Sequence, residues 1–230
     1  VDVRGAAPAS RETDLLRPEN TVEQAHAVVL SGGSAFGLEA ASGAARELEE
    51  RGIGLDVGVA RVPIVCSSCL FDLAFGRADV RPSSVAGILA VRDALSREPG
   101  AALDEGNVGA GTGATVGKLN GPDCCMKSGL GARAFRLGPL MVGAISAVNA
   151  VGNVIDPATQ EPVAGMRATA DGTTIVDMED AMLAAAEQVT MPLDRTNTTI
   201  SCIVTNTCLT KAQATKVAQM AADAYAHTIR

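Results

Sequence analysis

Apolar residues recur along this 230-residue chain in two different periods, and the alternation between them outlines an α/β fold. Residues 26–31, His-Ala-Val-Val-Leu-Ser, form a short apolar run that reads as a buried strand, broken by Gly32-Gly33. From Ala35 to Arg51 the period changes. Leu38, Ala41, Ala45 and Leu48 fall on one helical face, and Gly52 supplies the stop. Val62 to Val65 is a second short strand candidate, with Pro63 placing it near an edge. A helix is predicted over Ser83 to Leu95, after Pro82. Gly106 to Gly117 is glycine-rich and reads as a loop or irregular strand in close backbone contact with something. Met141–Val148 and Asn153–Ile155 read as a hairpin turning through 149–152, and a polar, turn-rich stretch follows over 157–175. Asp177–Val189 is predicted as a helix ended near Pro192. Thr198–Asn206 alternates as a strand, with Thr198, Ile200, Cys202 and Val204 on one face. Thr210-Lys-Ala-Gln213 is a capping box for a last helix whose stripe is Ala214, Val217, Ala218, Ala221 and Tyr225. The expected organisation is one domain over 1–230, with helices layered over sheets.

Composition narrows the function. At 47% hydrophobic and 20% charged the chain is an ordinary globular one. A net charge of −7 disfavours nucleic-acid and anionic-membrane partners, which need clustered cations. No apolar run is long enough to span a membrane. The chain has four Phe, one Tyr and no Trp, too few aromatics for a base- or sugar-stacking platform. The start, Val1-Asp-Val-Arg-Gly5, has neither an initiating Met nor a signal-peptide pattern, so a fragment or processed product is expected. Unpaired cysteines in an acidic chain favour the cytoplasm.

Candidate chemistry is sorted mainly by elimination. Six cysteines include Cys66-Ser-Ser-Cys69 and the vicinal Cys124-Cys125. Neither has the partner ligands of a zinc site, so no metal is expected, and a redox CxxC would have to open a helix. The main expectation is that these are small buried residues. A phosphate loop fails because Thr112 stands where the first Gly is needed and Leu119 follows Lys118. A serine-hydrolase elbow fails because Phe36 stands two residues after Ser34. His26 and His227 are the two histidines, and each reads as a packed or surface residue. One route needs no histidine. Asn197-Thr198 lies where a loop enters a strand, and cleavage before Thr198 would free an α-amine to act as base for its own hydroxyl. Asn-Thr before a strand is also an ordinary turn, and the residues alone leave both readings open.

Several blocks, taken in order, carry a resemblance. They are Val1-Asp-Val-Arg-Gly5, Val29-Leu-Ser-Gly-Gly-Ser-Ala-Phe-Gly-Leu38, Val62-Pro-Ile-Val65, Leu70-Phe-Asp-Leu73, Gly109-Ala-Gly-Thr-Gly-Ala-Thr-Val-Gly-Lys118, Met126-Lys-Ser-Gly-Leu-Gly131, Val148-Asn-Ala-Val-Gly-Asn-Val-Ile-Asp-Pro157 and Asn197-Thr-Thr-Ile-Ser-Cys-Ile-Val-Thr-Asn206. Together they resemble the L-aminopeptidase/D-esterase family, which includes β-peptidyl aminopeptidases and nylon-oligomer hydrolases. The resemblance implies a four-layer α/β/β/α sandwich of the N-terminal-nucleophile-hydrolase kind. It implies self-cleavage between Asn197 and Thr198, giving pieces of 197 and 33 residues, with Thr198 then acting as nucleophile. It implies that Asn149 donates to the oxyanion and that Lys118 holds or polarises groups near the nucleophile. Phe71 stands in a substrate-binding position where relatives carry Tyr. A small amide or peptide substrate, no cofactor and a homo-oligomer are further implications. Relatives extend beyond this chain at both ends and carry an acidic segment after the last helix. An acyltransferase of the ornithine-acetyltransferase kind and an inactive, truncated member are the alternatives. The alanines of the first and last helices fit either packing within the chain or a two-fold interface.

Overall fold

The computed structural model describes residues 1–187 and 197–230. Its elements form a mixed α/β chain of small sheets and four α-helices. The first sheet holds β1 (Ser10–Arg11), β2 (Ala27–Ser31) and β3 (Val65–Cys69) in the order β1-β3-β2. Strands β2 and β3 run parallel, from Ala27 opposite Val65 to Ser31 opposite Cys69. A parallel pair needs a crossover. It is made by a 3-10 turn, Ser34–Leu38, leading into α1 (Glu39–Glu50). The predicted helix from Ala35 therefore begins tighter than an α-helix. Gly33 takes φ +82° and Ser34 φ +55°, and the Ser34 N–H donates to Leu70 O at 2.8 Å.

Helix α2 (Ser84–Ser96) lies directly on α1. Gly43 and Gly87 make this possible. A Cβ on Gly43 would sit 2.6 Å from the Ser84 carbonyl carbon, and one on Gly87 2.7 Å from that of Ala40. Ala41, Ala44, Leu48, Val65 and Val91 form the core beneath, with Ala27 and Val29 against it. The alanine face of α1 is thus covered within the chain, which decides between the two readings of that face. Glu47, buried between the helices, pairs with Arg51 and Arg92 at 2.8 Å each.

The second strand differs from its predicted span. Arg61–Val62 makes only a two-residue ladder with Leu55–Asp56, and β3 starts after Pro63. Before β3 the Ile64 N–H donates to His26 Nδ1 at 3.0 Å, a packing role for that histidine. Cys66 and Cys69 therefore lie inside a strand, not at the opening of a helix. That arrangement removes the redox-motif reading and leaves them as buried small residues.

The second sheet is antiparallel throughout, in the order β6-β5-β4: β4 (Leu130–Leu137), β5 (Leu140–Asn149) and β6 (Thr198–Thr205). The β4–β5 turn is Gly138-Pro139, with Gly138 at φ +58°. The predicted hairpin of 141–148 with 153–155 is corrected here. Strand β5 pairs with β4 and β6, while Val154–Ile155 pairs with Pro162–Ala164. Residues 149–152 do not turn the chain back on itself, because Gly152 abuts the C-terminal residue. The Asn153 N–H donates to Arg230 O, and the Arg230 N–H to Asn153 O.

Leu70, Ala110, Ala114, Ala147 and Ile200 form a second core, with Leu30 and Leu130, that joins the two sheets. Helix α3 spans Met178–Glu187, and the predicted end at residues 188–192 lies outside the described residues. Helix α4 (Lys211–Thr228) opens with the predicted capping box. Thr210 Oγ1 accepts from Gln213 N, and the Thr210 N–H donates to Gln213 Oε1 at 2.9 Å. Val217, Ala218, Ala221 and Tyr225 are half-buried, while Ala214 is exposed. Tyr225 fastens α4 to β6 through a hydroxyl chain, Tyr225–Ser201 at 2.7 Å and Ser201–Ser146 at 2.6 Å.

Candidate active site

Thr198 is the first residue of β6, and its partner across the ladder is Asn149, the last residue of β5. The end of one strand thus faces the start of the other, at the edge of the inter-sheet core. Asn149 is fully buried, and both polar atoms of its side chain are hydrogen-bonded. Its Oδ1 accepts from the Thr115 N–H at 3.0 Å and from Lys118 Nζ at 2.8 Å. Its Nδ2 donates to Phe71 O at 2.7 Å. Lys118 Nζ also donates to the Asn149 carbonyl at 3.0 Å. Buried polar atoms satisfied in this way hold one rotamer, because every alternative leaves a donor or acceptor unpaired.

Phe71 closes the arrangement with its peptide. Its carbonyl receives Asn149, and its N–H donates to Thr198 Oγ1 at 3.4 Å. Phe71 leaves the end of β3, so the first sheet supplies the bridge between the two strand ends of the second. Lys118 is carried by the chain after the Gly117 turn, where φ is +71° and the Met166 backbone leaves no room for a side chain. Its own N–H donates to Val151 O at 2.9 Å. Burial pushes the Lys118 ammonium down to about 8, against the opposing pull of Cys125 and Asp72.

Thr198, Asn149, Lys118 and Phe71, singled out on sequence, are therefore one contiguous hydrogen-bonded cluster. Asn197 precedes it and is exposed. Asn197 and Thr198 line a hollow of about 360 Å³ together with Val151, Gly152 and Tyr225. The contacts Phe71 makes to the cluster come from its backbone.

Sequence reasoning missed three groups. Thr115 enters through its N–H, which no sequence pattern marks. Lys127 places Nζ on Thr112 O at 2.9 Å and Ala114 O at 2.8 Å, tying down the glycine-rich loop. Asp72 accepts from the Gly33 N–H at 2.6 Å. An acid inside the apolar run Leu70-Phe-Asp-Leu73 was the available signal. Four of the six cysteines are poor rival nucleophiles. Burial raises Cys66, Cys125 and Cys202, and pushes Cys69 up to about 11. Among the described residues, no group of three or more His, Cys, Asp and Glu is arranged to hold a metal. None of the described helices is long and apolar enough to cross a membrane.

Comparison with known proteins gives concordant matches. The chain is 41% identical over 237 residues to an uncharacterized aminopeptidase of Mycobacterium leprae (strain TN), covering all of this chain and 62% of that protein. It is 40% identical over 238 residues to an uncharacterized aminopeptidase of Mycobacterium tuberculosis (strain ATCC 25618 / H37Rv), covering all of this chain and 64% of that one. It is 34% identical over 181 residues to the 6-aminohexanoate-oligomer endohydrolase of Agromyces sp. (strain KY5R), covering 79% of this chain and 49% of that enzyme. The chain thus spans less than two thirds of the length of these relatives. The profile of peptidase family S58 matches residues 1–230, end to end. On that match the chain belongs to peptidase family S58, the L-aminopeptidase/D-esterase family.

Proposed function

We propose that this chain is the body of a self-processing amide hydrolase whose nucleophile is Thr198. The observation that carries the reading is the register of β6 on β5. It sets Thr198 opposite Asn149, with Lys118 and the Phe71 peptide on the same two residues. In the first step Thr198 Oγ1 attacks the Asn197 carbonyl carbon. The hydroxyl proton passes to the Thr198 nitrogen as the C–N bond breaks, leaving an ester between the Asn197 acyl group and Oγ1. Water then cleaves the ester, releasing an Asn197 carboxylate and a free Thr198 α-amine. That amine, with a reference pKa of about 7.7–8.0, is the base for later turnovers. A substrate amide is attacked in the same way, and its amine leaves before water hydrolyses the acyl-enzyme. Asn149 donates to the tetrahedral oxyanion, and Lys118 holds Asn149. Phe71 borders the substrate.

Small amides or peptides are the proposed substrates, in line with relatives named aminopeptidase and 6-aminohexanoate-oligomer endohydrolase. We further propose that the elements stack as four α/β/β/α layers. The α1–α2 pair on the first sheet, the core between the sheets and Tyr225 of α4 on the second support this order. A homo-oligomer is proposed for the intact protein. The apolar outer end of the β4–β5 hairpin, with Phe135 69% and Leu137 79% exposed, is available for such contacts.

Mass spectrometry of the purified chain tests the central step. Pieces of 197 and 33 residues are expected, and Thr198→Ala should stay intact. A Thr198→Ala chain still cut before residue 198 would overturn the reading.

A further inference from the structure

Three consecutive residues after β3 are tied down, the outer two to the 31–34 segment and the middle one to the strand ends of the second sheet. The Leu70 N–H donates to Ser31 O at 2.8 Å, and Leu70 O accepts from Ser34 N at 2.8 Å. Phe71 reaches across to Asn149 and Thr198 with its C=O and N–H. Asp72 then turns back, and its Oδ1 accepts from the Gly33 N–H at 2.6 Å. The Phe71 peptide is thus clamped from both sides by the Gly32-Gly33 turn.

The carboxylate of Asp72 is itself enclosed. A Cβ on Gly113 would lie 2.7 Å from Asp72 Cβ and 2.8 Å from its Cγ, and a Cβ on Gly32 would lie 3.1 Å from Cγ. Both glycines have ordinary negative φ, so this close approach, and not backbone conformation, is what excludes a side chain there. The groups facing the carboxylate are Lys118 and Lys127, each of which feels its charge, and the Cys69 thiol. Lys118 in turn faces Asp72 and Cys125.

We infer that Asp72 is a positioning residue for the proposed Thr198 chemistry. Its carboxylate, seated between Gly32, Gly33 and Gly113, fixes the Phe71 peptide on Thr198 and Asn149 and sets a negative charge toward Lys118. This rests on the assignment of Thr198 as nucleophile. An uncharged side chain of the same shape still accepts from Gly33 but removes the negative charge beside Lys118. A displaced carboxylate keeps the charge but moves the peptide. A small misplacement of reacting groups costs about tenfold to a hundredfold in rate.

The test uses Asp72→Asn and Gly113→Ala, each checked for folding by circular dichroism. Scission before Thr198 is followed after cell-free synthesis of the whole chain. The Nζ titrations are followed by NMR, which is tractable because Lys118, Lys127, Lys211 and Lys216 are the chain's lysines. Asp72→Asn is expected to slow scission about tenfold or more and to move the Lys118 midpoint below its wild-type value. Gly113→Ala is expected to slow scission comparably, and it decides the matter should Asp72→Asn not fold. A folded Asp72→Asn chain cut within about twofold of wild type, with Lys118 titrating unchanged, overturns the inference. Scission that persists in Thr198→Ala overturns the nucleophile assignment instead. In that case the Lys118 titration, which needs no cleavage, still tests the Asp72–Lys118 coupling by itself.

Discussion

Replacing Asn149 by alanine separates what holds the site from what the site does. The side chain is fully buried and, among the bonds to described residues, accepts from Thr115 N and Lys118 Nζ and donates to Phe71 O. Alanine strands the Thr115 N–H and the Phe71 carbonyl, whereas Lys118 keeps the residue-149 backbone carbonyl at 3.0 Å. Each stranded buried group costs about 1–3 kcal/mol, so the expected destabilisation for the two is about 2–6 kcal/mol. Urea unfolding in a Thr198→Ala background measures it on a single uncut polypeptide. With a slope of roughly 3 kcal/mol/M, the midpoint should fall by about 1 M. In the Thr198 background, loss of an oxyanion donor should also slow scission by about 10²–10³-fold. A midpoint within about 0.2 M of the parent would refute the burial argument. A lowered midpoint with wild-type scission would leave Asn149 a structural residue and remove its catalytic role.

Three further outcomes follow from particular contacts. Gly87→Ala gains about 1 kcal/mol of helix propensity, but its Cβ falls 2.7 Å from the Ala40 carbonyl carbon and must push α1 away. Overpacking of that kind costs about 1–3 kcal/mol, so a lower urea midpoint is expected and a raised one counts against backbone contact between the helices. Lys118→Met tests the depressed ammonium, which sits near 8 in the fold and at about 10.4 in an unfolded chain. Between those values the unfolded wild type binds more protons. Wild-type stability should therefore rise relative to Lys118→Met from about pH 8 to about 10.4 and be flat below; a difference independent of pH across that window contradicts the burial of Lys118. Among the cysteines, exposed Cys208 should react with a maleimide in the native chain, whereas Cys66 and Cys69 should react only after unfolding. Prompt native labelling of Cys69 is the contrary result.

The strongly periodic segments were legible in the sequence because burial alone dictates them. Helix α1 buries one face, α2 buries Gly87 and Val91 against it, the α4 stripe and most of β6 are half-buried, and the Thr210 cap is a local hydrogen-bond pattern that needs no partner. Strand β4 was invisible for the opposite reason. Arg133 and Arg136 interrupt any apolar alternation, Gly131, Ala132 and Ala134 carry little β signal, and pairing with β5 decides its structure. The false hairpin at 149–152 came from the same blindness, since nothing local says that β5 pairs on both edges. At the site, resemblance reached the side chains that carry a motif, but not the groups that act through the backbone. The Thr115 N–H, the Phe71 peptide and the Gly33 N–H have no residue-type signature.

The site and the inter-sheet core are interleaved along the chain. Leu70 precedes Phe71, Ala114 precedes Thr115, Ala147 lies two residues before Asn149, and Ile200 lies two residues after Thr198. On β5 and β6 a spacing of two keeps both residues on one face, so Asn149 and Thr198 face the same inter-sheet layer as Ala147 and Ile200. That layer is thin. Apart from Leu70, Ile200 and the flanking Leu30 and Leu130, its members are alanines, and the glycines around Asp72 bring backbone against carboxylate. Interiors packed at backbone distance transmit displacement, because no flexible side chain is there to absorb it. The small-residue composition, which locally looks like mere absence of chemistry, is therefore what lets one peptide, that of Phe71, span from the first sheet to both strand ends of the second. A bulkier core would separate the sheets and lengthen the hydrogen bonds of Phe71 to Thr198 and Asn149 before it disturbed either strand.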